Sequence, residues 1–203
     1  VLQPVKSEVL ESSIPENLRD VDGTWYGLSV RARTIVYNTE KTSPDQLNSY
    51  ESLASNEWDG KLVLRTSKKV YNQSLVSMMI ADHGEEVTRT IVESWVENLA
   101  APVYSNDTKL MEGILAGQGD VGIVNSYYFG RLKSKNPQLK LKLFWPNQES
   151  EGVHVNISGI GLVKGSRHQA EAITIQAIPI KAITKILAAA GDLVRRRRRA
   201  IVV

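Results

Sequence analysis

Tyr127 and Tyr128 stand side by side where the apolar run Val121-Gly122-Ile123-Val124 gives way to Asn125-Ser126 and a helix start. Two phenols at such a point can bind a hard, highly charged metal ion. Within a continuous strand, adjacent side chains leave on opposite faces and cannot converge on one ion. At a helix start they diverge less. Asn125 or Ser126 offers an N-cap oxygen, and the free N–H groups and positive dipole end of the first turn favour negative charge there. That field helps phenols, whose ordinary pKa is about 10, to ionise when a cation arrives. A phenolate is a hard anionic oxygen, suited to Fe³⁺ rather than to soft or weakly charged metals. The ordinary alternative for a Tyr-Tyr pair is packing in a core or at its rim.

A third phenol occupies a similar place. Lys61-Leu62-Val63-Leu64-Arg65 reads as a short strand and residues 66–70 as a polar turn. Tyr71 then stands just before a helix with apolar positions Leu75, Val76, Met79 and Ile80. Tyr71 and Tyr127 thus both follow the C-terminal end of a strand, which is where ligands bind in open α/β sheets. Arg65 and Arg131 are candidates to orient phenolates or offset their charge, with surface packing as the ordinary reading of both.

The elements that position these residues alternate. Residues 30–37 read as a strand, and Ser43-Pro44 supplies an N-cap and N1 proline for a helix carrying Leu47, Tyr50 and Leu53. Val87, Ile91, Val92, Trp95, Val96 and Leu99 mark an amphipathic helix, and Leu110, Met111, Ile114 and Leu115 mark another, capped by the Ser105 to Asp107 stretch. Residues 141–145 and 153–163 read as further strands. The order is α/β throughout.

Taken together, several stretches resemble the ferric-iron-binding periplasmic proteins of bacterial iron ABC transporters, most closely the cyanobacterial type. They are Ile14-Pro15-Glu16-Asn17-Leu18-Arg19-Asp20, Trp25-Tyr26-Gly27-Leu28, Arg31-Ala32-Arg33-Thr34-Ile35-Val36-Tyr37-Asn38, the 64–74 segment ending Tyr71-Asn72-Gln73-Ser74, Ser105-Asn106-Asp107, the 119–132 segment around Tyr127-Tyr128, and His154-Val155-Asn156-Ile157-Ser158-Gly159. The likeness runs from residue 1 to about residue 172 with the family's spacing between motifs. It implies an α/β fold of the periplasmic-binding-protein type II, two-lobed with hinge-crossing strands. It also implies Tyr71, Tyr127 and Tyr128 as ligands of a transported Fe³⁺, a membrane permease as partner, a monomer, and a periplasmic location. In that family the remaining protein ligands come from an N-terminal segment that this chain does not contain, so the first lobe and the iron site are expected to be incomplete. The division implied is residues 1–33 as first-lobe remnant and hinge, 34–152 as second lobe, 153–172 as return hinge and first-lobe remnant, and 173–203 as a divergent tail with an arginine run.

Composition narrows the other functions. Zero cysteines exclude disulfides, thiolate metal sites and cysteine nucleophiles, and 42% hydrophobic content supports a core. No apolar stretch approaches the roughly 20 residues of a membrane span, and no signal peptide is visible in residues 1–20, which are polar and acidic. The net charge of +3 owes everything to Arg195 to Arg199; without them it is −2. That block reads as a solvated tail, and no nucleic-acid partner is expected. Within the tail, residues 173–180 alternate like a strand and residues 182–194 suit a short helix. His83, His154 and His168 form no close ligand pair, with His83 placed at a helix end before Gly84. No glycine fingerprint or nucleophile triad marks an enzyme. The rival readings are the same fold binding another metal or a small anion, a basic-tail interaction protein, and a truncated product without activity.

Overall fold

Thirteen consecutive residues, Tyr26–Asn38, form the longest strand among the described residues. The computed structural model describes residues 1–172. They fall into two units: Val1–Arg31 with the residues from Val155 onward, and Ala32–His154. The expected strand and helix at 173–194 and the arginine run at 195–199 lie outside the described residues.

In chain order the strands are β1 (Leu2–Gln3), β2 (Tyr26–Asn38), β3 (Leu62–Val63), β4 (Val121–Asn125), β5 (Leu141–Phe144), β6 (Val155–Ile160) and β7 (Leu162–Val163). The α-helices are α1 (Glu8–Ser13), α2 (Val70–His83), α3 (Glu85–Glu97), α4 (Asp107–Leu115) and α5 (Ser126–Lys135). The main sheet runs β3-β4-β2-β5, and β6 also pairs with β2. β4 is antiparallel to β2, with Ile35 opposite Ile123, and parallel to β3. A single antiparallel central strand in an otherwise α/β order is a mixed sheet, as large α/β folds often have.

The second unit has a core on each face of this sheet, and the sequence period of two divides it. Ile35, Tyr37, Val121 and Ile123 face a cluster with Leu53, Trp58, Leu75, Met79 and Trp95. Val36 and Val124 face the other way, onto Leu110, Met111, Ile114 and Leu141. Each such fully buried side chain stabilises by roughly 1.5–3 kcal/mol. Gly122 lies between them: a Cβ there would meet the Val63 carbonyl oxygen at 2.7 Å and Leu110 at 2.8 Å. Its lack of a side chain lets β3 and α4 close on β4 just before the paired tyrosines.

In the first unit, Val5, Leu10, Ile14, Leu18, Tyr26, Ile157 and Leu162 form a smaller core. The expected single strand over 153–163 is broken at Gly161, where a Cβ would meet the Thr24 carbonyl oxygen at 2.6 Å and Leu2 at 2.8 Å. β7 therefore leaves β6 and pairs instead with β1.

The helix expected after Ser43-Pro44 is absent and three 3-10 turns replace it, at Pro44–Gln46, Glu51–Ala54 and Asn56–Trp58. Ser43 does form a capping box with Gln46, but Leu47 is extended. The Tyr50 N–H donates to Asn147 Oδ1 at 3.0 Å, which is not a helical carbonyl. A tertiary partner thus overrides the local helix signal. Leu47, Tyr50 and Leu53 are nevertheless all buried. α2 ends as the sequence suggests, at His83, with Gly84 at φ 82 donating to the Ile80 carbonyl. Among the described residues no helix is long and apolar enough to cross a membrane.

Candidate metal centre

Two helix starts of the second unit bring the three phenols together. α5 begins directly after β4, so Tyr127 and Tyr128 occupy its first turn. α2 begins at Val70, so Tyr71 lies within its first turn rather than just before it. Tyr71 Oη and Tyr127 Oη are 3.5 Å apart. The Tyr127 and Tyr128 rings have centroids 4.3 Å apart and are tilted by 31°. All three residues are partly exposed.

The charges around them are positive. The Arg65 guanidinium lies 5.0 Å from the Tyr71 ring centroid, and that of Arg131 lies 5.3 Å from Tyr127 and 5.9 Å from Tyr128. Cations so placed favour phenolates once these form. Burial pushes the Tyr127 phenol well above its ordinary pKa, and hydrogen bonding with Tyr128 and Tyr71 adds to the shift. Without a cation, then, Tyr127 holds its proton. A multivalent cation placed among the three oxygens would reverse that balance, because its charge favours the phenolate form of each. Among the described residues no group of three His, Cys, Asp or Glu side chains could hold a metal. The phenol oxygens of Tyr71 and Tyr127 are instead the oxygens that approach one another here.

Beneath the phenols lies a buried charge network that sequence reasoning missed. Asp107 is fully buried at the start of α4. Its Oδ2 accepts from Arg33 Nη1 at 3.0 Å and from the Asn125 backbone N–H at 2.7 Å, and its Oδ1 accepts from Arg65 Nη1 at 2.8 Å. Arg33 also donates to Asn72 Oδ1 and to the Ile123 carbonyl at 3.1 Å. Asn72 Nδ2 in turn donates to the Arg65 carbonyl at 2.9 Å. Two expectations change as a result. Arg65 is 4% exposed, so surface packing does not describe it. Asn125 makes no side-chain cap to α5; its Oδ1 faces Arg33 Nη1 at 3.5 Å instead. Arg131 is exposed, as a surface residue would be, while still lying over the paired rings. Asp107 carried one available signal, its place in the Ser105-Asn106-Asp107 cap sequence, where Asn106 does the capping and leaves the aspartate free to turn inward.

His83 pairs with Glu51 at 3.0 Å, and His168 is exposed. His154 is 3% exposed, with Nε2 3.1 Å from Ser74 Oγ on α2. Burial, with Arg33 adding to it, depresses the His154 pKa from 6.5 to about 4. Below pH 6.5 the unfolded chain takes up a proton that the native chain refuses until about pH 4, so stability is lost as pH falls through that window, by roughly 3 kcal/mol. Urea unfolding at pH 7 and pH 4.5 is expected to record that loss, and His154→Gln to remove most of the pH dependence. An unchanged slope in the variant would contradict the assignment.

Comparison with known proteins places this arrangement. Residues 1–193 match the family of bacterial extracellular solute-binding proteins. Iron uptake protein A1 of Synechocystis is 42% identical over 179 residues, which cover 85% of this chain and 50% of that protein. The Fe(3+)-binding periplasmic protein of Serratia marcescens is 30% identical over 172 residues, covering 83% and 50%. The chain thus spans about half the length of the curated relatives it matches. Among solved structures, the Trichodesmium FutA (IdiA) complex with iron and citrate superposes with a TM-score of 0.82 at 41% identity, covering 93% of this chain and 62% of that one. Apo FutA2 from Synechocystis gives a TM-score of 0.80 at 39% identity, covering 92% and 62%. The fold is that of the type II periplasmic binding proteins, and the chain belongs to the bacterial extracellular solute-binding protein family; the relatives it matches are named for iron uptake and ferric-iron binding.

Proposed function

We propose that the chain binds ferric iron through the phenolate oxygens of Tyr71, Tyr127 and Tyr128, as the substrate-binding component of a periplasmic iron ABC transport system that hands the ion to a membrane permease. The observation that carries this reading is the 3.5 Å approach of Tyr71 Oη to Tyr127 Oη, with the tilted Tyr128 ring centred 4.3 Å from that of Tyr127. Three phenolates supply three negative charges to a trivalent ion, and hard oxygen donors suit Fe³⁺. Other oxygen donors fill the coordination positions that these three leave. The action is binding and release, without covalent chemistry. The same reading takes residues 34–152 as the second lobe, 1–33 and 153–172 as parts of the first, and 173–203 as a divergent tail.

Binding must expel the phenol protons, so acid opposes it. Titrating the chain with ferric iron at neutral pH is expected to raise a visible phenolate-to-Fe³⁺ absorption band that saturates at one ion per chain and fades on acidification. A solution that stays colourless through the titration would refute tyrosine-held iron and leave another metal or a small anion as the ligand.

A further inference from the structure

We propose that Arg33 is the positioning residue of the tyrosine site: its guanidinium, anchored by Asp107, joins Asn72 on the helix of Tyr71 to the Ile123–Asn125 segment that leads into Tyr127 and Tyr128, and so sets the gap between the phenols. The proposal rests on the reading of those phenols as iron ligands and names what holds them apart from the metal. Arg33 is 1% exposed. Nη2 donates to Asn72 Oδ1 on one side and to the Ile123 carbonyl on the other, while Nη1 donates to Asp107 and faces Asn125 Oδ1. The start of α2 and the end of β4, from distant parts of the chain, are thus bound to one planar group.

The fork is itself fixed at its base. The Arg33 backbone N–H donates to the His154 carbonyl at 2.9 Å, and its carbonyl accepts from the Tyr50 hydroxyl. That hydroxyl accepts in turn from the His154 N–H at 3.0 Å. Asn72 is held from both sides, by Arg33 at its oxygen and by the Arg65 carbonyl at its nitrogen. It immediately follows Tyr71, as Asn125 closely precedes Tyr127. A ligand constellation must be held to within about 0.5 Å, which partly exposed tyrosines cannot manage alone. Arginine suits the task because its donors lie in one rigid plane; lysine is a point charge on a flexible stem and cannot hold a helix start and a strand end at a set angle.

The test compares Asn72→Leu, Asn72→Asp and Arg33→Lys with the parent chain, in the absence of iron first. Photo-oxidative coupling with a ruthenium sensitiser and persulfate joins neighbouring tyrosines as dityrosine, and mass spectrometry quantifies the peptide pair linking Tyr71 to Tyr127 or Tyr128. Asn72→Leu and Arg33→Lys are expected to lower that yield at least about fivefold with unchanged far-UV circular dichroism, whereas Asn72→Asp, which keeps the acceptor, retains it. Ferric affinity should fall about 10–100-fold in Asn72→Leu, the range found when a partner that orients a ligand is removed. A folded Asn72→Leu chain that couples like the parent, or an Asn72→Asp chain that couples as poorly as Asn72→Leu, would overturn the proposal. If Arg33→Lys does not fold, the two Asn72 variants decide it. If the parent never develops the visible band, the iron reading falls, and the coupling contrast still settles what Arg33 does.

Discussion

Asp107→Asn is expected to cost roughly 3–5 kcal/mol of folding stability, the penalty typical of removing one partner from a buried ion pair. Asp107 is the anion between two buried guanidiniums, Arg33 at 1% and Arg65 at 4% exposure. Burial already pulls the Arg33 pKa down from its ordinary value, and the Asp107 charge is the largest influence opposing that. Asparagine preserves shape and one acceptor oxygen but leaves two arginines in the interior with no countercharge. Against a typical total of 5–15 kcal/mol, that loss is large enough to unfold a substantial fraction of the chain. The proper control is Asp120→Asn, because Asp120 pairs with Lys41 at 3.1 Å where the lysine is 45% exposed. An exposed pair of that kind contributes about 0–1 kcal/mol. Urea midpoints measured at pH 7 should separate the two variants clearly. Equal midpoints would mean that the Arg33-Asp107-Arg65 cluster is not the keystone its burial indicates.

That cluster also marks the boundary of what the sequence makes legible. The uninterrupted apolar run Ile35-Val36-Tyr37 suits a strand buried on both faces, and the structure divides those residues between two cores. The polar pair Asn125-Ser126, which ends β4 and begins α5, announces the helix start that carries the paired tyrosines. Such signals are local, lying within one or two turns of the residues they govern. The 3.5 Å approach of Tyr71 to Tyr127 is not local, since 56 positions separate the two and the contacts that bind their loops span comparable distances. Arg33 reaches Asp107 across 74 positions and Asn72 across 39. The same holds for the failed helix after Ser43: its decisive partner, Asn147, lies 97 positions from Tyr50. Capping residues and proline there do create a local turn, but a buried amide from far along the chain captures the N–H that a helix needed.

Tyr127→Phe is expected to weaken ferric binding more than the corresponding change at Tyr71 or Tyr128. Removing any one phenolate should exceed the roughly 10–100-fold cost of losing a partner that merely orients a ligand. Tyr127 is the central phenol, 3.5 Å from the Tyr71 oxygen and with its ring centroid 4.3 Å from that of Tyr128, so its oxygen is the donor nearest to both partners' side chains. The proton count supplies a second and sharper readout. At a fixed concentration of free Fe³⁺ and below the phenol pKa values, each phenolate ligand replaces one bound proton, so affinity should rise about 1,000-fold per pH unit when three ionise. With phenylalanine at any one position that slope falls to about 100-fold. Burial raises the Tyr127 pKa, so its proton is costly to remove. All three variants should lose the same slope, and each should therefore show a smaller affinity deficit at pH 6 than at pH 8. Measuring apparent affinity across that range against a competing chelator of known pH dependence separates this from a general loss of fold, which would lower affinity without changing the number of protons released. A parent slope of one proton or none would show that the phenols do not ionise together on the metal.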